Sequence, residues 1–136
     1  MTMLYLASKS PRRAEILKHL GVPFQVLQVD VDETPMPHED ALDYVQRIAK
    51  TKAEAGWHLM QQQQLTVLPL LSADTTVSLA GEILGKPVDQ ADALRMLQQL
   101  SGSVHEVHTA LAMMTAQGLY TALSSTRVMM KPLSES

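Results

Sequence analysis

The chain has 136 residues, a length that fits one domain around a single core and excludes a second full domain. Its composition, 46% hydrophobic and 18% charged, excludes a disordered chain, and a net charge of −3 gives no long-range attraction to nucleic acid or to an anionic membrane. It has no cysteine for disulfides or thiolate metal sites and no secretion signal at its start, so we expect a cytoplasmic protein.

The first half of the chain predicts two strands and two helices. The first helix is indicated by apolar residues at helical spacing, by Ser10 as its cap, by Pro11 in its first turn and by Gly21 after its end. The second helix has one broad apolar face, and the second strand ends in an acidic turn at residues 30–35. The predicted strands are residues 4–7 and 22–31, and the predicted helices are residues 11–20 and 39–60.

The second half predicts more strands than helices. The continuous apolar run at residues 65–71 is typical of a strand covered on both faces, and we expect it to end at residues 72–76. Hairpins are predicted at residues 76–84, around Ala80 and Gly81, and at residues 104–130, with a helix at residues 89–100 between them. Strands alternating with helices, together with two hairpins, indicate an α/β fold with a mixed, twisted sheet flanked by helices.

Two arginines stand in the first turn of the first helix, where the helix dipole already supplies partial positive charge. Arg12 and Arg13 are unfavourable there unless an anion binds. Free amides at the helix N-terminus, the hydroxyls of Ser8 and Ser10 and two guanidinium groups would converge on one point, which suits a phosphate. The alternative is that both arginines are merely solvated.

A lysine also breaks the apolar stripe of the second helix. Lys52 lies four residues after Ile48 and seven after Val45, on the face that should be buried. Either its ammonium group reaches the edge of the core and is solvated there, or it is delivered to an internal anion. Spacing alone favours neither.

Asp74 follows the apolar run, at the expected carboxyl end of an interior strand, where open α/β sheets place ligands. Its carboxylate could bind a metal, deprotonate a water molecule or cap the next turn. Glu33, in the acidic turn, could be a second metal ligand or a solvated side chain. Lys86, held in an extended backbone by the proline after it, is an anion-binding candidate or a surface lysine. His105 and His108 should face opposite sides of a strand, which argues against a shared metal.

Several motifs, in this order and spacing, resemble the Maf family of nucleotide pyrophosphatases. They are LASKSPRR at residues 6–13, DVDET at 30–34, the helix with Lys52, SADTTV at 72–77, GEILGKP at 81–87 and LSGSVHEVHTAL at 100–111. The resemblance implies a two-lobed cleft like that of inosine triphosphatases, in a single domain over residues 1–136. It also implies hydrolysis of a nucleoside triphosphate between its α and β phosphates, with a divalent metal, Mg²⁺ or Mn²⁺.

The resemblance assigns roles to eight residues. Asp74 would be the proton acceptor and, with Glu33, would hold the metal. The substrate would be bound by Ser8, Arg12, Arg13, Lys52, Thr75 and Lys86. The doubled arginine and Thr75 are similar to the branch that acts on dTTP and UTP rather than the branch that prefers methylated GTP. The family also implies a homodimer and a house-cleaning role in nucleotide metabolism. From the net charge we expect neither nucleic acid nor membrane as a partner.

The sequence departs from the family pattern in two places. Lys9 replaces the usual small residue and adds a charge beside the expected phosphate site. The chain stops soon after KPLSES, so we expect it to lack the C-terminal segment of the family. Two alternatives to an active enzyme follow from this: a form that binds nucleotides or a partner without turnover, as a regulator of cell division, and an inactive fragment.

Overall fold

A computed structural model describes residues 3–79, 82–84, 90–100 and 104–129. These residues form six strands and three helices in an order that alternates at first and ends in a long hairpin. The elements are β1 (Leu4–Leu6), α1 (Pro11–His19), β2 (Phe24–Val26), α2 (Ala41–Gln62), β3 (Leu70–Leu79), β4 (Glu82–Leu84), α3 (Gln90–Leu100), β5 (Val104–Thr115) and β6 (Gly118–Met129).

All six strands belong to one mixed sheet, as the sequence predicts. The order is β2-β1-β3-β5-β6, with β4 paired to β3. β1 runs parallel to β2 and β3, whereas β4, β5 and β6 join by antiparallel pairs. The two hairpins explain the mixture, because a tight turn can join only antiparallel neighbours.

The main core lies between α2 and the sheet. Val45, Ile48 and Ala53 of the predicted apolar face are fully buried, and Asp40 caps the helix by accepting a hydrogen bond of 2.8 Å from the amide of Asp43. Burial of each large aliphatic side chain contributes roughly 1.5–3 kcal/mol. A glycine in the same helix, Gly56, brings α2 close to the sheet: an added Cβ would lie 2.7 Å from Cδ1 of Leu70 and 3.1 Å from Cβ of Ala7.

The predicted strand at residues 65–71 is wrong in both bounds, because a strand needs neighbours to pair with. Residues 65–69 form the connection from α2, and β3 starts at Leu70, which pairs with Tyr5 of β1. From there β3 continues to Leu79, since β5 pairs with it from Leu70 to Ser78. Asp74 therefore lies inside a long strand and not beyond its end.

The predicted second strand is also too long. Only Phe24–Val26 form β2, which pairs solely with the three residues of β1 among the described strands. One further hydrogen bond of 2.9 Å joins the Leu27 amide to the Leu6 carbonyl before the chain leaves the sheet. The short partner limits the length of the edge strand.

Helix α1 begins at Pro11, as predicted, but its N-cap works differently. Ser10 occupies the cap position without a side-chain capping bond, and the hydroxyl of Ser8 accepts the Ser10 amide at 3.0 Å. No side chain therefore caps the first turn of α1. At the other end Gly21 takes a φ of 72°, the left-handed conformation that favours glycine after a helix.

The remaining elements follow the predictions closely. The short hairpin of β3 and β4, the helix α3 and the long hairpin of β5 and β6 are all present. Asp89, the first residue of the predicted third helix, lies outside the described residues. Within the described part of the chain, no helix combines the length and the apolar character needed to cross a membrane.

Candidate active site

A gap along one edge of β3 positions the site. One edge of this strand is paired with β5 throughout, so β1 and β4 share the other edge. β1 pairs with β3 only as far as Leu71, and β4 pairs with β3 only from Val77 onward. Between those two points no described strand pairs with this edge, and Asp74 and Thr75 lie in the gap.

A cleft of about 560 Å³ opens at this gap. Its walls come from the loop after β1, the start of α1, the acidic turn, α2 and β3. The lining residues are Ala7, Ser8, Lys9, Ser10, Arg13, Val29, Asp30, Val31, Glu33, Lys52, Asp74 and Thr75. Five of the residues predicted for the site from sequence therefore share this cleft with Asp74: Ser8, Arg13, Glu33, Lys52 and Thr75.

Lys52 joins the two acidic residues of the cleft. Its Nζ lies 3.3 Å from Oδ1 of Asp74 and 3.4 Å from Oε1 of Glu33. The ammonium group is thus delivered to internal anions, one of the two alternatives that spacing left open. The apolar stripe of α2 carries Lys52 over β3, and the alternation of β3 turns Asp74 toward α2, so the two side chains meet between helix and sheet.

Asp74 is a buried carboxyl group with an unusual proton affinity. Burial raises the pKa of Asp74, and the nearby charge of Glu33 raises it further. The charge and hydrogen bond of Lys52 act in the opposite direction without cancelling the effect of burial. Thr76 also donates a hydrogen bond of 3.5 Å to Oδ2. A carboxylate that takes up a proton more readily than usual suits general-base chemistry.

On the opposite face of β3, a separate series of hydrogen bonds joins polar side chains. Arg13 Nη2 donates a 3.0 Å hydrogen bond to Oγ1 of Thr75, which is also 3.1 Å from Oγ1 of Thr109 on β5. Thr75 and Thr109 are directly paired in the ladder between the two strands. These hydrogen bonds hold the guanidinium group of Arg13 at the cleft, where the remaining N–H groups of Arg13 can bind an anion.

The two arginines at the start of α1 are separated by the fold. Arg12 does not line the cleft; it lines an adjacent, mostly apolar groove of about 560 Å³. Arg13, Ser10 and Thr75 line both cavities, so the groove and the cleft adjoin. Consecutive helical residues point about 100° apart, which explains the different positions.

Two other charged residues singled out from the sequence are Lys9 and Lys86. Lys9, the departure from the family pattern, forms an exposed ion pair with Asp30 across the cleft. Lys86, predicted to bind substrate, lies outside the described residues.

The two histidines of β5 do not join the site. His108 is buried, with Nε2 3.0 Å from Oγ of Ser78 and Nδ1 2.8 Å from Oγ of Ser125. It lies on the opposite face of β5 from His105, as the spacing predicts. Among residues 3–79, 82–84, 90–100 and 104–129, no three His, Asp or Glu side chains form a cluster that could by itself hold a metal.

Two residues of the site region were not predicted from sequence. Tyr44 and Arg47, on α2, donate hydrogen bonds to the backbone carbonyls of Glu33 and Thr34. Their spacing of three residues places them on one side of the helix, beside the apolar stripe, which is the only sequence signal they give.

The family model for Maf-like proteins matches residues 3–136. The chain belongs to the Maf-like family. A Bordetella pertussis relative, named dTTP/UTP pyrophosphatase, is 53% identical over 136 residues, which cover 97% of this chain and 66% of the relative. A Chromobacterium violaceum protein of the same name is 48% identical over 98% of this chain and 68% of its own length. The chain thus spans about two thirds of the length of these relatives.

The fold of this Maf-like chain also occurs in solved structures of low sequence identity. The Ham1 protein of Staphylococcus aureus matches 93% of the chain with a TM-score of 0.59 at 16% identity. A Vibrio cholerae protein matches 98% of the chain with a TM-score of 0.51 at 11% identity. These likenesses support the mixed-sheet fold.

Proposed function

We propose that this Maf-like chain hydrolyses nucleoside triphosphates between the α and β phosphates, with dTTP and UTP as its preferred substrates. The observation that carries the proposal is the meeting of the buried Asp74 carboxylate with Lys52 and Glu33 in a cleft that also holds Arg13 and Ser8. The names of the B. pertussis and C. violaceum relatives support the same reaction and the same substrates.

The cations of the cleft fit a polyphosphate. Arg13 presents a planar fork of donors, and Lys52 presents a compact charge. The amides in the first turn of α1 have no side-chain cap and are available to phosphate oxygens. These groups would stabilise negative charge as it develops in the transition state. Lys86 remains a further candidate for this role.

Asp74 is the proposed proton acceptor. A water molecule would attack the α phosphorus, the bond from that phosphorus to the bridging oxygen would break, and pyrophosphate would leave with the electron pair. Asp74 would take the proton that the water loses. Because burial raises the pKa of Asp74, its carboxylate is a stronger base than an exposed one.

Glu33 and Asp74 are the proposed holders of a divalent cation, Mg²⁺ or Mn²⁺. The donor set fits, since Mg²⁺ in nucleotide enzymes commonly takes one or two carboxylates and completes its shell with phosphate oxygens and water. When bound, the cation would neutralise phosphate charge and make water more acidic. Lys52, between the two carboxylates, would then also be free to turn toward phosphate.

The apolar groove beside the cleft is a suitable place for the nucleobase. It shares Ser10, Arg13 and Thr75 with the cleft, and its other lining residues include Arg12 and Leu111. In this arrangement Arg12 would contact the base or sugar rather than the phosphates that its sequence position suggested. Arg12 and Thr75 would then bear on the preference for pyrimidines over methylated GTP.

The deciding experiment measures pyrophosphate release from a panel of nucleotides, including methylated GTP, with Mg²⁺ and with Mn²⁺. We expect release from dTTP and UTP, and a fall in kcat of about 10²–10⁴-fold in Asp74→Asn. Asp43→Asn, exposed on α2, is the control. Normal turnover by Asp74→Asn would reject the role of Asp74, and thermal stabilisation by nucleotide without pyrophosphate release would identify a binding form.

Three further expectations come from the sequence. They are a homodimer, action in the cytoplasm, and neither nucleic acid nor membrane as a partner. Light scattering at several protein concentrations tests the first, and cell fractionation tests the second. A titration with duplex DNA and with anionic vesicles tests the third.

A further inference from the structure

Two side chains of α2 hold the acidic turn that carries Glu33 by hydrogen bonds to its backbone. Tyr44 Oη donates a hydrogen bond of 2.5 Å to the carbonyl of Glu33, and Arg47 Nη2 donates one of 3.1 Å to the carbonyl of Thr34. These carbonyls belong to consecutive peptide groups. Because a peptide group is planar, holding the group between Glu33 and Thr34 holds the Cα of Glu33, from which its side chain leaves the backbone, and holding the next group keeps the turn in place.

Arg47 is itself fixed by a two-point contact. Its Nε lies 2.7 Å from Oε2 of Glu39, and its Nη2 lies 2.9 Å from Oε1 of the same carboxylate. Oε1 also accepts the amide of Met36 at 3.0 Å, which joins the far end of the turn to the same group. A bidentate contact needs the planar guanidinium fork, and a lysine cannot reproduce it.

Tyr44 is held in place by Arg47 and remains a donor at neutral pH. The Arg47 guanidinium carbon lies 5.6 Å from the centre of the Tyr44 ring, within the range of a cation–π contact. Burial raises the pKa of Tyr44, and the negative charges of Asp74 and Glu33 raise it further. The phenol therefore keeps its proton, which it needs in order to donate to the Glu33 carbonyl.

Glu33 depends on this support to reach the cleft. Its carboxylate is 45% exposed, and its described side-chain partner is Lys52, at 3.4 Å. An exposed glutamate on a turn would otherwise sample many directions, and ordering it costs conformational entropy. We propose that Tyr44 and Arg47 are positioning residues that hold the Glu33 backbone so that its carboxylate faces Lys52 and Asp74, ready for a divalent cation. This inference rests on the proposed function, because it assigns Glu33 to the metal.

The test uses two variants that remove the contacts with little change in size. Tyr44→Phe deletes only the hydroxyl group and keeps the ring, and Arg47→Lys keeps the charge and loses the fork. Matched controls are Tyr120→Phe and Arg127→Lys, on the exposed strand β6. Mn²⁺ binding is measured by electron paramagnetic resonance in the presence of an α,β-methylene analogue of UTP, which prevents turnover.

We expect Tyr44→Phe and Arg47→Lys each to weaken Mn²⁺ binding by about tenfold, as removal of the groups that orient a metal ligand commonly does. The two controls should bind Mn²⁺ as the unchanged protein does. Unchanged Mn²⁺ affinity in both Tyr44→Phe and Arg47→Lys would overturn the inference. So would a failure of Glu33→Gln to weaken Mn²⁺ binding, since Glu33 would then have no cation to be positioned for.

A double-mutant cycle separates positioning from a merely structural role. If Tyr44 acts through Glu33, adding Tyr44→Phe to Glu33→Gln should weaken Mn²⁺ binding no further than Glu33→Gln alone. Additive losses would instead assign Tyr44 a general effect on the fold and reject the inference. The proposed function fails separately, if the unchanged chain releases no pyrophosphate from any nucleotide, whatever the Mn²⁺ titration gives.

Discussion

The two ends of β3 are both buried but are stabilised in different ways. At its start Leu70 packs under Gly56 of α2 against apolar neighbours. Further along, the buried positions are polar: Ser72 donates to the Ala49 carbonyl at 2.6 Å, Asp74 meets Lys52, and Ser78 contacts His108. A buried polar group costs free energy unless it is paired, so each of these has a specific partner. Changes at the apolar end should therefore act first on stability, and changes at the polar end should act first on chemistry.

After the loss of turnover expected for Asp74→Asn, the largest effect is expected in Lys52→Met, also at the polar end. Loss of the ammonium group removes a charge that would stabilise the transition state, and we expect kcat/KM to fall about 10²- to 10³-fold. Lys52 lowers the pKa of Asp74, so its removal raises that pKa further. Asp74 accepts a proton only when ionised; the decline of kcat/KM at low pH should therefore begin at a higher pH in the variant.

Lys50→Met is the control for this measurement, because Lys50 is exposed on the same helix. A pH profile of kcat/KM that keeps its acidic limb in place in Lys52→Met would show that Lys52 does not tune Asp74.

The second effect belongs to the apolar end and concerns stability. Gly56→Val would place side-chain carbons against Leu70 and Ala7, where even a Cβ is too close. We expect the free energy of unfolding to fall by about 1–3 kcal/mol, as is usual for overpacked cores. Urea unfolding measures it, with the exposed Glu54→Val as the control for a β-branched residue in α2. Equal losses in the two variants would mean that the helix can move away from the sheet at little cost.

A smaller effect on activity is expected at Thr75, on the other face of β3. Thr75→Val removes the acceptor of the Arg13 hydrogen bond, which should raise KM for dTTP about 3- to 10-fold while kcat changes less. Thr75→Ser keeps the hydroxyl and should behave like the unchanged protein. Thr121→Val, on the exposed face of β6, is the control. A change in kcat alone would place Thr75 among the groups that assist the chemical step.

The smallest effect is a gain in stability at the polar end. Because burial raises the pKa of Asp74, the folded chain holds this proton more tightly than the unfolded chain, so folding stability falls as pH rises through that pKa. Asn has no such proton to lose. Asp74→Asn should therefore melt at a higher temperature than the unchanged protein above the pKa of Asp74, with a difference that shrinks at lower pH.

Thermal unfolding followed across the range from about pH 8 to pH 4 checks this prediction. A lower melting temperature of Asp74→Asn at every pH would show that attraction to Lys52 outweighs the burial of the carboxylate. The apolar end would then no longer differ from the polar end in its contribution to stability.

Much of the fold follows from patterns that the sequence displays. The stripe of Val45, Ile48 and Ala53 predicts α2 and its buried face, and the turn residues predict both hairpins. The start of β3 could not be predicted, because residues 65–69 are as apolar as a strand but have no neighbouring strand at that level. Pairing is a property of the assembled sheet, and hydrophobicity alone does not reveal it.

The site was predictable where a residue breaks a local rule. Lys52 interrupts an apolar stripe, and two arginines stand at a positive helix end; both features indicated an anion site. Which arginine enters the cleft depends on how α1 sits on the sheet, so Arg12 and Arg13 could not be told apart. Tyr44 and Arg47 gave almost no signal, because they bind backbone carbonyls, which every residue has.

The close approach at Gly56 has a consequence for Lys52, one helical turn earlier. A lysine side chain has a fixed maximum length, so the height of α2 above β3 decides whether its tip arrives at Asp74 or stops short. The lack of a Cβ at position 56 therefore sets the distance between the ammonium group of Lys52 and the carboxylate of Asp74. A larger residue at position 56 would move α2 away from β3 and draw Lys52 back from Asp74, although every residue of the cleft would be unchanged. Turnover could thus be altered at position 56 without changing a reacting group.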